Sequence, residues 1–315
     1  MDRTNVKTIF GLILTANIIS VIFFIYFSST AIPEEQVEVE VTGDYFGEVT
    51  ANDNGGKIIA PYLISEDVYY IGFGSDKMSY GIYLVNTTEG GVIIDNGCAI
   101  HRAEVINKLN TLGFAPEDIK YVLNTHAHGD HVGADKLLQD AGAKIVINAK
   151  DAPSLEFGDD MIFCRFCCPI ELKLVKPNII IRDGSKIVVG DKTFQAMEFG
   201  GHTPGSTVYI MKYISPTGVK KVYFTGDTVM GIEWFAHWRG NNYSNLTQFA
   251  ESIKRIWAET GRDPEYTKYY IAAGHIKPNV KWTFKEMDKK SFRGNLDKVK
   301  KNVLKTKYEI NSDVL

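Results

Sequence analysis

NTHAHGDH, residues Asn124–His131, places three histidines and one aspartate within six consecutive positions. The chain of 315 residues has only seven histidines, so this concentration indicates a chemical role. The run that leads into it, IKYVLNTH, is typical of a buried strand, in which alternate side chains point to the same side. His126 and His128 can therefore face one ion where the strand ends.

The residues after this strand end extend the set of candidate ligands. Gly129 lets the backbone turn, and Asp130 and His131 then lie where the helix-like run GADKLLQDAG begins. An H-x-H-x-D-H pattern thus offers two neighbouring groups of ligands rather than one. A zinc ion held by three protein ligands keeps a fourth position for water, which is the catalytic arrangement.

Further candidate ligands lie at the ends of other strand-like runs or in tight turns. GGHTPGST presents His202 in a turn bounded by glycine and proline, VYFTGDT ends a strand with Asp227, and YIAAGH ends a strand with His275. Five of the seven histidines occupy such places, whereas histidines of a hydrophobic core would be scattered along the chain. The pattern predicts one composite metal site built from separate segments.

In this order, THAHGDH, GGHTPGS, FTGDT and AAGH resemble the metallo-β-lactamase superfamily over roughly residues 57–280. The resemblance implies an α/β (α+β four-layer) fold, an αββα sandwich of two mixed β-sheets with flanking helices and with the metals at one edge. It also implies the ligands, namely His126, His128 and His202 for a first ion, Asp130, His131 and His275 for a second, and Asp227 between them. Asp95 in VIIDNG resembles the aspartate that supports these ligands from behind, with a plain turn residue as the alternative.

The resemblance further implies a cofactor of two Zn²⁺ ions per chain, and iron or manganese suit similar ligands. Two ions ~3.5–4 Å apart lower the pKa of a shared water to near neutrality, so hydroxide is expected to attack a substrate carbonyl. Asp130 is the predicted catalytic residue, because its carboxylate would orient this nucleophile and pass its proton onward. The expected activity is metal-dependent hydrolysis of a small-molecule substrate.

Two features lead to different expectations for the substrate. THAHGDHVGA, EFGDD at 156–160 and GGHTPGST are similar to β-lactamases of subclass B3, and they indicate a β-lactam or a similar cyclic amide or ester. Asp227 in TGDT departs from that subclass and is similar to lactonases, glyoxalase II-like thioesterases and related ester hydrolases. A non-catalytic, membrane-tethered metal-binding module is the alternative of another class, and intact ligands at every motif position disfavour it.

The N-terminal segment, residues 1–30, has the features of a membrane anchor or a signal peptide. Arg3 and Lys7 precede an uncharged apolar stretch from Ile9 to Phe27. This stretch is about as long as a membrane-spanning helix requires, which is ~20 residues. A positive flank of this kind stays on the cytoplasmic side, so the rest of the chain would lie on the other side of the membrane.

Cleavage after the same segment is the alternative, because Ser29 and Ala31 fit a small-residue cleavage site. Either alternative predicts export, to a membrane-anchored position facing the periplasm, the extracellular space or a lumen, or to secretion after cleavage. The expected organisation is this segment, a linker at 31–55 and a hydrolase domain at 56–315. The membrane is an expected partner only if the segment stays uncleaved.

The net charge bears on nucleic acid as a possible partner, and the cysteines bear on whether the chain forms a disulfide. A formal net charge of -3 argues against nucleic acid, because such binders usually carry a basic surplus. A lysine-rich run at roughly 284–306 is expected to be the solvated face of a helix. Cys98 and the C-x-x-C-C cluster at 164–168 fit either buried free thiols or a disulfide in an exported domain.

Aromatic residues after the TGDT strand are candidates for the wall of a substrate cleft. His237 and Trp238 are expected to line it, and Trp234, Phe235 and Tyr243 would supply an apolar surface. Ordinary loop packing is the alternative for all five.

Overall fold

The computed structural model describes residues 49–51, 57–74, 79–163, 171–215, 218–229, 243–245, 248–249, 251–252, 255, 258 and 269–275. All of them belong to one compact unit, Val41–Leu315. The segment 1–30, most of the linker, the cluster at 164–168, the residues 234–238 and the run at 284–306 lie outside the described residues. Within the described part of the chain, no helix has the length and apolarity needed to cross a membrane. The predicted division into anchor, linker and domain therefore stays a prediction.

Short apolar runs bounded by glycine, proline or aspartate form the strands. In chain order these are β1 (Val49–Ala51), β2 (Lys57–Ile59), β3 (Tyr62–Ser65), β4 (Val68–Tyr70), β5 (Phe73–Gly74), β6 (Ser79–Tyr80), β7 (Tyr83–Thr87), β8 (Gly90–Ile94), β9 (Ile119–Leu123), β10 (Lys144–Asn148), β11 (Ile179–Ile181), β12 (Lys186–Val189), β13 (Lys192–Glu198), β14 (Thr207–Ser215), β15 (Gly218–Gly226) and β16 (Tyr269–Ala273). The α-helices are α1 (Arg102–Thr111), α2 (Asp135–Asp140) and α3 (Ala152–Phe157), and 3-10 turns span Ala99–His101, Pro116–Asp118 and Asp227–Val229.

Two mixed sheets form the body of the fold. The first has seven strands in the order β11-β10-β9-β8-β7-β4-β3, parallel from β8 to β11 and antiparallel elsewhere. The second has five strands in the order β12-β13-β14-β15-β16, antiparallel except for the parallel pair of β15 and β16. The expected architecture of two mixed sheets with helices is thus confirmed.

The core between the sheets follows from the alternation of side chains along each strand. Val92 and Ile94 of β8 pack in one buried cluster with Phe194 of β13 and Tyr209 of β14. Ile93, which lies between the two β8 residues, points the other way and joins a different cluster. Strand β8 therefore contributes buried side chains to both faces of the first sheet.

Helices cover the outer face of that sheet. Val105 and Leu109 of α1 and Leu138 of α2 pack in the same buried cluster as Ile93. The run HRAEVINKLNTLG has apolar residues at helical spacing, and Gly113, at φ +80, follows the helix end.

Asn245 precedes a further group of helical residues. Its side-chain Oδ1 accepts the N–H of Gln248 at 2.9 Å, which is the N-cap arrangement. Helical residues among 248–258 follow it, and Arg255 stacks over the ring of Phe199 at 5.1 Å. This packs the helical residues against the end of β13.

Three features of the fold were open or missed in the sequence analysis. Cys98 is disulfide-bonded, and its partner lies outside the described residues. Helix α3 spans only six residues, too few for a helical period to be recognised. Strand β11 has three residues and is defined by its parallel pairing with β10 rather than by a pattern of its own.

The strand ends that carry the candidate ligands meet at one edge of the sandwich. β8 and β9 are parallel, as are β15 and β16, so the carboxyl ends of each pair lie together. Two backbone hydrogen bonds join this edge across the sheets. Thr207 N–H donates to the Thr125 carbonyl at 2.8 Å, and Gly81 N–H donates to the Gly274 carbonyl at 2.7 Å.

Candidate metal centre

The three histidines of the first predicted group converge in space. His126 Nε2 lies 3.1 Å from His128 Nδ1, and His202 Nε2 lies 3.0 Å from each of these atoms. All three side chains are buried. Three nitrogens around one zinc ion at ~2.0 Å in tetrahedral geometry would lie about 3.3 Å apart. The observed triangle, called the first triad below, therefore fits a single ion of that size.

The second predicted group lies beside the first. His275 Nε2 is 3.4 Å and His131 Nε2 is 3.8 Å from Asp130 Oδ2. The ligand atoms of these three residues all lie within 4.8 Å of one another, so they could hold a metal ion. The rings of His126 and His131, one from each group, have centroids only 4.0 Å apart.

Asp227 lies between the two groups. Its Oδ1 is 3.4 Å from His131 Nε2, and its Oδ2 is 3.4 Å from both His202 Nε2 and His275 Nε2. One carboxylate thus contacts histidines of both groups. This is the place that the sequence resemblance implies for it.

Two buried atoms at this centre test whether the residues fit metal ions. His131 Nε2 and Asp227 Oδ1 make no hydrogen bond within the described part of the chain. Buried polar atoms are nearly always paired, so such atoms need an explanation. A cation would supply the missing partner of both, and imidazole and carboxylate are ligands that zinc accepts. The donor set therefore fits metal binding.

Asp95 accepts hydrogen bonds on the side away from the metal centre, and these bonds orient residues of both groups. Its Oδ2 accepts hydrogen bonds from His131 Nδ1 at 2.9 Å and from Thr125 Oγ1 at 2.8 Å. Because the Thr125 hydroxyl donates its hydrogen to Asp95, it can only accept from His126 Nδ1, 3.0 Å away. Both imidazoles then carry their proton on Nδ1 and present Nε2 to the centre. Asp95 directly follows β8 and has φ 54, which is the left-handed backbone region.

Asp151, which the sequence analysis missed, joins the two loops that carry the first triad. Its Oδ2 accepts hydrogen bonds from Ala127 N at 3.1 Å and from Thr203 Oγ1 at 2.7 Å. Its Oδ1 accepts the N–H of Gly205 at 2.6 Å. Ala127 lies inside the H-x-H motif, and Thr203 follows the third histidine. The only available signal was an aspartate shortly after the strand-like run AKIVINA.

A further buried carboxylate, that of Asp135 at the start of α2, holds the ends of β8 and β9 together. Its two oxygens accept hydrogen bonds from Asn96 Nδ2 and Asn124 Nδ2, each at 2.6 Å. Burial raises the pKa of Asp135 to about 8, although both amide donors lower it. The carboxyl group thus lies under the two strand ends that lead into the centre.

Burial keeps the first triad uncharged. It lowers the pKa of His128 to about 4 and holds the pKa values of His126 and His202 well below 6.5. Neutral imidazoles offer the lone pairs that a cation requires.

In the second group, unlike the first triad, the neighbouring carboxylates favour a protonated, charged imidazole. Burial lowers the pKa of His275, but the charges of Asp227 and Asp130 outweigh it and raise the pKa to about 10. Burial raises the pKa of Asp130, but His131 and His275 outweigh it and hold the pKa below its usual value. A cation that binds here must therefore displace protons from imidazoles.

Two tyrosines flank the centre. The ring of Tyr80 lies edge-on to His275 with centroids 5.5 Å apart, and the ring of Tyr243 lies edge-on to His128 at 5.6 Å. Burial, together with nearby carboxylates, raises the pKa of each tyrosine to about 12. Tyr243 therefore lies at the site, where the sequence analysis expected it.

Known proteins with similar sequences share this motif region. The metallo-beta-lactamase superfamily matches residues 82–275, well over half of the chain. The hydroxyacylglutathione hydrolase of Pelagibacter ubique is 30% identical over 187 residues, which cover 59% of this chain and 64% of that protein. An N-acyl homoserine lactonase of Bacillus cereus is 23% identical over 149 residues, which cover 39% of this chain and 54% of that protein. The chain thus spans less than two thirds of the length of these relatives.

Solved structures match the fold over a larger share of the chain. A beta-lactamase from Chitinophaga pinensis has a TM-score of 0.63 at 23% identity and covers 82% of this chain and 97% of its own. A metallo-beta-lactamase from Elizabethkingia meningoseptica has a TM-score of 0.62 at 22% identity and covers 83% and 98%. At these identities the likeness supports the fold alone. The superfamily match over residues 82–275 shows that this chain belongs to the metallo-beta-lactamase superfamily.

Proposed function

We propose that the chain is a dinuclear metal-dependent hydrolase that cleaves an ester, thioester or lactone at its carbonyl carbon. The observation that carries the proposal is the position of Asp227, which contacts His131, His202 and His275 at 3.4 Å each. An aspartate in this place is where the sequence departs from subclass B3 β-lactamases. An aspartate at this position is a feature that the sequence shares with lactonases and glyoxalase II-like thioesterases.

The two groups divide the metal ligands between them. His126, His128 and His202 would hold one ion, Asp130, His131 and His275 the other, and Asp227 would bridge. Zinc suits this set of imidazole and carboxylate ligands, and iron or manganese are the alternatives. Metal analysis of the purified protein distinguishes these ions. When bound, such ions polarise a carbonyl and lower the pKa of water.

The chain's own residues would orient the reactants. Asp130 Oδ2 lies within 3.8 Å of His131 and His275, so its carboxylate can accept a hydrogen bond from the attacking water and aim that water at the carbonyl. Asp130 is therefore the proposed catalytic residue. Asp95 and Asp151 contact only ligands or ligand-bearing loops, which makes them positioning residues.

The relatives support an acyl substrate of this class. By name they include hydroxyacylglutathione hydrolases, an acyl-coenzyme A thioesterase of Homo sapiens and N-acyl homoserine lactonases. Hydrolysis of a β-lactam is the second candidate. The observation that favours it is the pair of imidazoles, His131 and His275, in the second group, since a histidine-rich second site is the feature shared with subclass B3.

A substrate panel with parallel metal analysis tests the proposal. The panel holds a chromogenic cephalosporin, an acyl homoserine lactone, an acyl thioester and an aryl ester. We expect two metal ions per chain and a higher kcat/KM for the lactone, thioester or ester than for the cephalosporin. The reverse order would favour the β-lactamase, and two bound ions without turnover would favour the non-catalytic metal-binding module.

Removing two of the three histidines of the first triad tests the metal assignment itself. The double variant His126→Ala, His128→Ala should lose most bound metal and hydrolytic activity. His101→Gln, a change at a histidine outside both groups, should keep both. Full activity in the double variant would contradict the assignment.

We also propose that residues 1–30 direct export and either anchor the domain in a membrane or are removed. The support is the length of the apolar stretch and its positive flank. Cell fractionation and sequencing of the mature N-terminus test this. Full-length protein confined to the cytosol would contradict it.

A further inference from the structure

Helix α3 and the turn that follows it hold the backbone on both sides of His128. Asp151, which directly precedes α3, accepts the N–H of Ala127 at 3.1 Å. After the helix, the carbonyl of Ile162 accepts the N–H of Gly129 at 3.2 Å. Ala127 and Gly129 are the chain neighbours of His128, so one segment fixes the backbone of this candidate ligand at two points.

The turn that carries Ile162 is built on the side chain of Asp159. Asp159 Oδ1 accepts the N–H of Met161 at 3.0 Å and that of Ile162 at 3.1 Å. Its Oδ2 accepts the hydroxyl hydrogen of Ser154, a residue of α3, at 2.5 Å. An aspartate that accepts N–H groups two and three residues further on closes a turn locally. The carboxylate therefore ties the turn to the helix.

This turn also aims the Ile162 carbonyl at the histidine motif. The carbonyl shares a planar peptide unit with the Phe163 N–H, which donates to the backbone carbonyl of Asp159 at 3.1 Å. In a trans peptide unit the two bonds point in opposite directions, so the Ile162 carbonyl points away from Asp159 and towards Gly129. Three consecutive N–H groups thus converge on one residue, two on its carboxylate and one on its carbonyl.

Apolar packing is the competing anchor for this turn. The side chains of Met161 and Ile162 are buried in the same cluster as Ala127 and Val132 of the motif region. Packing fixes where these side chains lie, whereas the direction of the backbone groups depends on dihedrals that the carboxylate restricts. Asp159 itself is exposed, so water can satisfy its carboxylate if the turn opens. Removing the carboxylate therefore distinguishes the two anchors.

We propose that Asp159 is a positioning residue for His128 and Asp130. It acts through the hydrogen bond that Gly129 donates to Ile162. The inference rests on the proposed function, since it concerns the same site. Gly129 lies between a ligand of the first ion and the proposed catalytic carboxylate, so a shift of its backbone moves both. Small displacements of reacting groups slow a reaction strongly, and residues that support metal ligands change metal affinity.

The test is Asp159→Ala in the zinc-loaded full chain, which removes the carboxylate and keeps the backbone bond to Phe163. We expect the Gly129 amide to exchange with solvent about tenfold faster, because its hydrogen bond opens more often. NMR of protein with isotope-labelled glycine measures this and requires no turnover. On the best substrate of the panel kcat should fall about tenfold, with a smaller change in KM. Affinity for Zn²⁺, measured with a competing chelator, should also fall about tenfold.

The conservative variant Asp159→Asn should restore all three quantities. Its carbonyl oxygen can still accept the N–H groups of Met161 and Ile162, and its amide can donate to Ser154 Oγ. The matched control is Asp160→Ala, at the adjacent exposed aspartate, which should equal the wild type.

Three results would overturn the proposal. The first is unchanged Gly129 exchange and kcat in Asp159→Ala, even with a lower Tm, because apolar packing would then be the anchor. The second is an Asp159→Asn variant as impaired as Asp159→Ala, and the third is an equal loss in Asp160→Ala. Either of these would make the effect one of charge and not of the turn.

The exchange measurement separates this inference from the proposed function. If the wild type with two bound ions hydrolyses a substrate of the panel and Asp159→Ala matches it in exchange and kcat, the inference alone fails. If the wild type turns over no substrate while Asp159→Ala still shows faster Gly129 exchange and weaker Zn²⁺ binding, the proposed function alone fails and the positioning of His128 is supported.

Discussion

Asp95 Oδ2 lies 2.9 Å from His131 Nδ1, and both side chains are buried at the end of the first sheet. Through Thr125 the same carboxylate also reaches His126, which belongs to the other ligand group. One acidic side chain therefore sets the orientation of an imidazole in each proposed metal site. Its loss should affect both ions, whereas the loss of a single ligand should affect mainly one.

Asp95→Asn should weaken binding of both ions by about 10- to 100-fold, which is typical for the residues that support metal ligands. The amide presents hydrogens where the carboxylate accepted them, so His131 and Thr125 lose a shared acceptor. Competition with a chromophoric chelator measures the two affinities. Asp118→Asn, at an exposed turn carboxylate that accepts the Ala115 N–H, is the control and should bind metal as the wild type does. Unchanged affinity in Asp95→Asn would refute the supporting role.

Asp151→Asn should loosen the first triad specifically. The new amide leaves one of the three buried donors, Ala127 N–H, Thr203 Oγ–H or Gly205 N–H, without an acceptor. We expect the free energy of unfolding to fall by about 1–3 kcal/mol and one ion per chain to be lost at limiting metal. Thr203→Ser keeps its hydroxyl and should be near wild type, whereas Thr203→Val should show part of the loss. Equal loss of both ions would argue against a local effect.

Gly274→Ala should displace Asp227. A Cβ on Gly274 would lie 2.4 Å from Asp227 Oδ1 and 2.9 Å from His131 Cε1, closer than real Cβ contacts allow. We therefore expect activity to fall more than tenfold, with a lower metal content, because the bridging carboxylate must move. Gly184→Ala is the control, since a Cβ there meets nothing within 4 Å. The substitution Gly184→Ala should lower Tm without changing metal content or activity, because Gly184 has φ +80, which an alanine adopts only with strain. Wild-type metal content and activity in Gly274→Ala would contradict the prediction.

Asp135 predicts a pH dependence of stability that Asp135→Asn should remove. Burial holds its folded pKa at about 8, above the ~3.9 of an unfolded aspartate, so the folded state binds more protons between these values. Wild-type unfolding free energy should therefore fall, relative to the variant, as the pH rises from about 4 to about 8. The slope is at most about 1.4 kcal/mol per pH unit. Urea titrations of both proteins with excess chelator measure it, and a pH-independent difference would contradict the assignment.

Local patterns indicated the candidate ligands, and the family resemblance that their motifs carry implied the sandwich. The spacing of His126 and His128 and the glycine or proline turns around the other ligands make their identities visible without coordinates. Strand β9 ends at Leu123, however, so the loop after the strand, and not the strand alternation that was expected, brings these two histidines together. Asp151 was not visible in this way, because its hydrogen bond to Thr203 joins residues 52 positions apart. Tyr243 was visible only as a candidate. Its place beside His128 depends on how its segment docks on the His202 loop.

The sequence by itself indicated the candidate ligands and their places after strand-like runs or in turns, because such runs and turn residues are local properties. The resemblance implied Asp227 between the two groups, and only the tertiary structure decided how its carboxylate reaches histidines of both. That position requires β15 to pair in parallel with β16, with a register shift between Phe224 and Gly226 that re-aims the strand end. It also requires Gly274 to let the Asp227 carboxylate approach. Both contacts join segments that are distant in sequence but adjacent in the second sheet, and the contact of Asp227 with His131 forms only when the first sheet packs against the second.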